Sequence, residues 1–141
     1  CYAPNDYEKM DKIARYSNVY YIPPVEYNKL PEYASLFDVC IIPFKEGEVA
    51  RYTNPIKLFE YMAMGKPVVV TKDLIECYGY DGVFVAGNYE DFTNKLEEAY
   101  SNSERGMFVD KLIHYAMANT WNENCRKIAT ILDNSYLKGH K

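Results

Sequence analysis

The sequence lacks most of the features that mark membrane, nucleic-acid and metal proteins. It has no long apolar run, and no signal-peptide pattern is read in it, so no segment is predicted to span a bilayer. It lacks a basic footprint. Sixteen Lys and Arg against 20 Asp and Glu leave a formal net charge of -4, which argues against nucleic acid as a partner. Its four cysteines, Cys1, Cys40, Cys77 and Cys125, are scattered without a CxxC pair. They read as free thiols in a reducing compartment, with a disulfide as the alternative. His114 and His140 stand alone and receive no role, so no metal site is expected. No GxGxxG follows a strand-like run, which disfavours a dinucleotide oxidoreductase. There is no initiator Met: the chain opens Cys1-Tyr2-Ala3-Pro4 and reads as a piece of a longer protein.

What is present is one domain's worth of chain, 141 residues, with ordinary apolar and charged fractions and 15 tyrosines that read as packing residues. A helix is predicted over residues 4–16, capped by Asn5 or Asp6, with Met10, Ile13 and Ala14 on one face. Val19-Tyr20-Tyr21-Ile22 predicts a strand, stopped by Pro23-Pro24. A second helix covers residues 29–36, and Val39-Cys40-Ile41-Ile42 a second, buried strand ending at Pro43. Residues 44–53 read as a polar loop. Further on, Gly82 to Ala86 predicts an edge-side strand, and Asn88 caps a helix over about 89–101. Helices over about 104–118 and 122–136 close the chain. In the last, Cys125, Ile128, Ala129 and Leu132 share a side, and Trp121 beside it reads as a packing anchor.

The most informative stretch runs from Tyr52 to Val70. Asn54 suits an N-cap and Pro55 the first helical position, where a missing N–H costs nothing. Ile56 to Met64 has helical apolar spacing, and Gly65 ends the helix. Pro67 starts Val68-Val69-Val70, a β-branched run that reads as buried on both faces. Four short strands alternating with helices predict a doubly wound, Rossmann-like parallel α/β sheet. Ligands of such sheets bind beyond the carboxyl ends of the strands. The loop before Asn54 lies at such an end, directly ahead of a helix N-terminus whose free N–H groups and dipole favour an anion. Asp73 and Glu76, after the third strand, read as a solvated turn, with ligand contact as the other option.

Residues Asn54-Pro-Ile-Lys-Leu-Phe-Glu60-Tyr-Met-Ala-Met-Gly-Lys-Pro-Val-Val69 resemble the donor-site signature of GT-B glycosyltransferases, in particular the GT4-like group of retaining enzymes. Asn18 to Ile22 resembles the strand edging the nucleobase pocket, and Leu30 to Lys45 the helix and strand before the donor loop. Phe92 with Leu96, and Thr120-Trp121, resemble the closing helices. The resemblance covers nearly the whole chain and implies that residues 1–141 are the C-terminal, nucleotide-sugar-binding half of such an enzyme. The first strand and an N-terminal acceptor domain would lie upstream of Cys1. The lost strand would be the central one, and an unpaired sheet edge would invite association.

Several roles follow from the resemblance. The amides of Ile56, Lys57 and Leu58 would face the diphosphate or the sugar. Glu60 would accept from the ribose hydroxyls, and Lys45, Thr53 and Asn54 would line the pocket mouth. The family often carries a second Glu eight residues before the one matching Glu60; here that position is Tyr52, which leaves the sugar's identity open. The implied reaction transfers a sugar from a nucleotide-diphosphate sugar to an acceptor sugar or lipid-linked glycan, with no metal and no cofactor. It would run in the cytoplasm or at the cytoplasmic membrane face, with any membrane contact made through the upstream half. Beside these stand plainer readings: Glu60 as a solvated helix residue, and Lys45, Lys57 and Arg51 as wet surface cations. A sugar-nucleotide epimerase of the same architecture and a non-catalytic scaffold module are the competing functions.

Overall fold

The computed structural model describes residues 12–103 and 106–138. The chain divides into two compact units, Cys1–Leu30 and Pro31–Lys141. Most of the helix expected over 4–16 lies outside the described residues; of its described part, residues 12 and 13 are helical. The strand expected at 19–22 is not formed. Those residues have no regular structure, Tyr20 is 85% exposed, and no described strand pairs with them. A strand is stable only when a neighbour satisfies its backbone groups, and Pro23-Pro24 removes two donors directly after it. A single 3₁₀ turn, Tyr27–Lys29, follows.

The chain enters its second unit within α1 (Leu30–Ser35). The sheet has three parallel strands: β1 (Cys40–Ile42), β2 (Val68–Thr71) and β3 (Val83–Ala86), with β2 in the centre. Cys40 pairs with Val68, and Val68 with Val83 in the next ladder. Between β1 and β2 lie a four-residue helix, α2 (Glu48–Arg51), and α3 (Ile56–Ala63). After β3 come α4 (Tyr89–Asn102), α5 (Gly106–Ala118) and α6 (Trp121–Lys138). Among the described residues no helix is long and apolar enough to cross a membrane.

Period-two alternation distributes the strand side chains between two cores. Cys40, Ile42, Val68 and Val70 face Leu58 and Met62 of α3 and Leu112 and Ala116 of α5. Val69, Ala86 and the half-buried Phe84 face Ala99, Phe92 and Leu96 of α4. Helices therefore cover both faces of β2, whose Val68, Val69 and Val70 are wholly buried. β1 is less buried than its apolar sequence suggests: Ile41 is 46% exposed, because β1 is the edge of the described sheet. Burial pushes the Cys40 and Cys77 thiols from the ordinary 9.0 up to about 11. Both are free thiols, as is the exposed Cys125.

The end of α3 is fixed by glycine chemistry. Gly65 N–H donates to the Met62 carbonyl at 2.9 Å and Lys66 N–H to the Tyr61 carbonyl at 3.0 Å. This paired Schellman arrangement needs a left-handed residue, and Gly65 has φ +67°. α5 crosses so closely here that a Cβ on Gly65 would lie 2.5 Å from Val109 Cγ1. Edge-to-face rings, Phe59–Tyr80 at 5.8 Å and Tyr80–Tyr115 at 5.2 Å, brace the same contact.

α4 starts as expected: Asn88 Oδ1 accepts from Asp91 N–H at 2.9 Å, and Asp91 Oδ2 accepts from Gly87 N–H at 2.7 Å. Among the described residues Trp121 does not act as a packing anchor. It is 77% exposed at the start of α6, and Cys125, Ile128 and Leu132 on the same side are exposed too. Helical spacing marks one face of a helix, but it does not supply the surface that covers that face.

Candidate functional site at the carboxyl end of the sheet

The connection from β1 to α3 was expected to be an open polar loop. It is instead a held structure. Thr71, the last residue of β2, donates its hydroxyl to the Phe44 carbonyl at 2.8 Å. The next residue, Lys72, pairs with Glu46 at 3.1 Å. The next, Asp73, accepts from Gly47 N–H at 2.7 Å and lies 3.5 Å from Arg51 Nε. Gly47, at φ +140°, turns the chain into α2, whose Ala50 is fully buried. Asp73 is only 7% exposed, so the solvated turn expected there is corrected to a buried carboxylate. Arg51, read above as a wet surface cation, is paired with it.

Spacing alone missed α2 and Asp73. α2 is one turn long, too short for periodicity to show. The main partner of Asp73 is a backbone amide 26 residues away. Gly47 and Asp73 were the available signals, but neither names the other.

α3 begins one residue later than expected. Pro55, extended at ψ 118°, is its N-cap residue, and no side chain caps the helix, so Asn54 does not fill that role. A proline holding an extended ψ belongs outside the helix, and its carbonyl accepts from Leu58 N–H at 3.0 Å. The Leu58 amide is thus engaged within the chain. Those of Ile56 and Lys57 have no intrahelical acceptor, as at any helix start. The seven candidate residues all fall in one short stretch. Lys45 and Asn54 are exposed, and Thr53 is half-buried with its hydroxyl donating to the Val49 carbonyl. Ile56 is exposed, Lys57 and Glu60 are half-buried, and Leu58 is core. Tyr52 closes α2 at 85% exposure.

A cleft of about 330 Å³ opens at the carboxyl ends of all three strands. Pro43 and Glu46 line it from β1 and its loop, Thr71 from β2, and Ala86, Asn88 and Phe92 from β3 and α4. It contains none of the seven candidates and adjoins their stretch through Glu46. Its walls disfavour an anion: Glu46 lines it, Glu90 and Asp91 occupy the first turn of α4, and Asn88 already caps that helix. The α3 start has no acidic residue in its first turn, carries Lys57 there and has Lys45 upstream, a charge arrangement that suits an anion better than the cleft does.

Comparison with known proteins places the chain in a family. The family model "Glycosyl transferases group 1" matches residues 2–102, well over half of the chain. The chain is also similar to a protein of Bacillus subtilis (strain 168) named as a teichuronic acid biosynthesis glycosyltransferase, TuaH. The two are 28% identical over 132 residues, covering 89% of this chain and 33% of that protein. The chain therefore spans about a third of the length of that relative. No solved structure matches it.

Proposed function

Since this chain belongs to the glycosyl transferases group 1 family, we propose that it forms the donor-binding domain of a GT-B glycosyltransferase. The enzyme moves a hexosyl group from a nucleotide-diphosphate sugar to an acceptor, with retention at the anomeric carbon. The observation that carries this reading is the start of α3. Two helix-terminal amides and Lys57 stand at the carboxyl side of β1, behind a loop that carries Lys45. In the proposed complex the amides of Ile56 and Lys57 and the Lys45 and Lys57 ammonium groups meet the diphosphate. Glu60, one turn along α3, accepts from the ribose hydroxyls. Thr53 and Asn54 line the mouth, and Leu58 seats the helix in the core.

The chemical contribution of such a site is electrostatic. As the bond from the sugar to the diphosphate breaks, negative charge grows on the leaving oxygen. Preorganised N–H dipoles and cations stabilise that charge without reorganising, so they lower the barrier more than they tighten the ground state. The acceptor, a sugar or lipid-linked glycan, binds a preceding domain outside residues 1–141, together with any acid–base group. The name of the relative, teichuronic acid biosynthesis, favours a polysaccharide or glycoconjugate product. The free thiols Cys40 and Cys77 favour the cytoplasm or the cytoplasmic membrane face.

A second reading, a non-catalytic scaffold, is favoured by one observation: Tyr52 stands exposed where the resemblance calls for a sugar-binding Glu. An assay of nucleotide release from UDP- and GDP-sugars by the full-length protein separates the two. Release that depends on added acceptor glycan supports the transferase. Donor binding without acceptor-dependent release supports the scaffold and overturns the transferase.

A further inference from the structure

Asp73 is the one buried charged side chain among the described residues, and both of its partners belong to the loop ahead of α3. We infer that Asp73 is a positioning residue for this loop, and through it for donor binding; this rests on the donor-site reading above.

A carboxylate removed from water must be compensated by hydrogen bonds or charge. Here Gly47 N–H and the Arg51 guanidinium provide both, at 2.7 Å and 3.5 Å. Thr71 and Lys72 grip Phe44 and Glu46 in parallel, so three consecutive residues at the end of β2 clip one loop. The clip reaches the candidate site through α2. Tyr52 N–H donates to the Glu48 carbonyl at 3.1 Å, Thr53 N–H to the Ala50 carbonyl at 3.2 Å, and the Thr53 hydroxyl to the Val49 carbonyl. A shift at Gly47 therefore passes through one rigid turn to Thr53 and Asn54, directly ahead of the α3 amides. Released from Asp73, the segment between Phe44 and Asn54 would have to be ordered when the ligand binds, and affinity would fall by that cost.

The test compares wild type, Asp73→Ala, Asp73→Asn and Gly47→Ala in the full-length protein. UDP, GDP and their sugars are titrated calorimetrically, and hydrogen exchange is followed over residues 44–54. Asp73→Ala is expected to raise Kd about tenfold, equivalent to about 1.4 kcal/mol, and to strip exchange protection from the Gly47 amide. Asp73→Asn keeps an oxygen acceptor for Gly47 N–H and is expected to hold Kd within about threefold of wild type. Gly47→Ala attacks the same contact from the solvent side. Its new Cβ meets no atom within 4 Å, yet φ +140° resists a side chain, so it gives the Asp73→Ala result even if that variant fails to fold. A folded Asp73→Ala or Gly47→Ala protein with a lower melting temperature and unchanged Kd overturns the inference and leaves the donor site standing. A wild type that binds none of these ligands overturns the donor site, and this inference with it.

Discussion

Gly65→Ala tests whether α3 is held where the site needs it. Gly65 has φ +67°, and an added Cβ would lie 2.5 Å from Val109 Cγ1. The left-handed conformation costs an L-residue roughly 1–2 kcal/mol. Forcing a methyl group into a packed contact adds about 1–3 kcal/mol. The stiffer unfolded chain returns about 0.4–1 kcal/mol. The net is a loss of about 2–4 kcal/mol against a typical domain stability of about 5–15 kcal/mol. For a chain of this size that lowers the melting temperature by roughly 6–20 °C, measurable by far-UV circular dichroism. The clash and the backbone strain separate in a double-mutant cycle with Val109→Ala, which removes the obstructing methyl. The double variant should regain about 1–3 kcal/mol relative to the sum of the single changes. A Gly65→Ala protein melting within about 2 °C of wild type would show that α3 and α5 are not locked at this crossing.

Two further outcomes follow from the fold. Asn88→Ala should cost about 1 kcal/mol, by loss of the side-chain acceptor for Asp91 N–H, and thermal unfolding checks it. Cys40 and Cys77 should resist iodoacetamide at pH 8 in the folded protein, while the exposed Cys125 is alkylated, as peptide mapping will read. Their thiol pKa values are raised on folding, so the folded state holds the proton more tightly. Their contribution is complete below pH 9.0 and is lost as pH climbs toward about 11. An unfolding midpoint that rises over that interval would contradict the assignment.

The parts of the fold legible in the sequence are those where local chemistry and tertiary packing demand the same thing. Val68-Val69-Val70 is an uninterrupted β-branched run because helices cover both faces of β2. Gly65 and Asn88 end and begin helices with residues suited to those positions. The parts that were not legible depend on distant partners. Val19 to Ile22 has strand composition but no described strand beside it. Trp121 has the size of an anchor but nothing described covers it. Asn54 looked like a cap, and a proline that stays extended displaced it by one position. At the candidate site, the α3 start and its lysines could be read from the chain, whereas the clip from Thr71, Lys72 and Asp73 could not. Its bonds run to the backbone of Phe44 and Gly47 and to the side chains of Glu46 and Arg51, and they form only once β1 and β2 are paired.

The most direct test of the donor site is calorimetric titration of the full-length protein with UDP, GDP and their sugars, wild type against Glu60→Ala. Loss of a charged acceptor for the ribose hydroxyls should weaken the preferred nucleotide by roughly tenfold to a hundredfold. Binding that is absent in wild type, or identical in the folded Glu60→Ala protein, would contradict it.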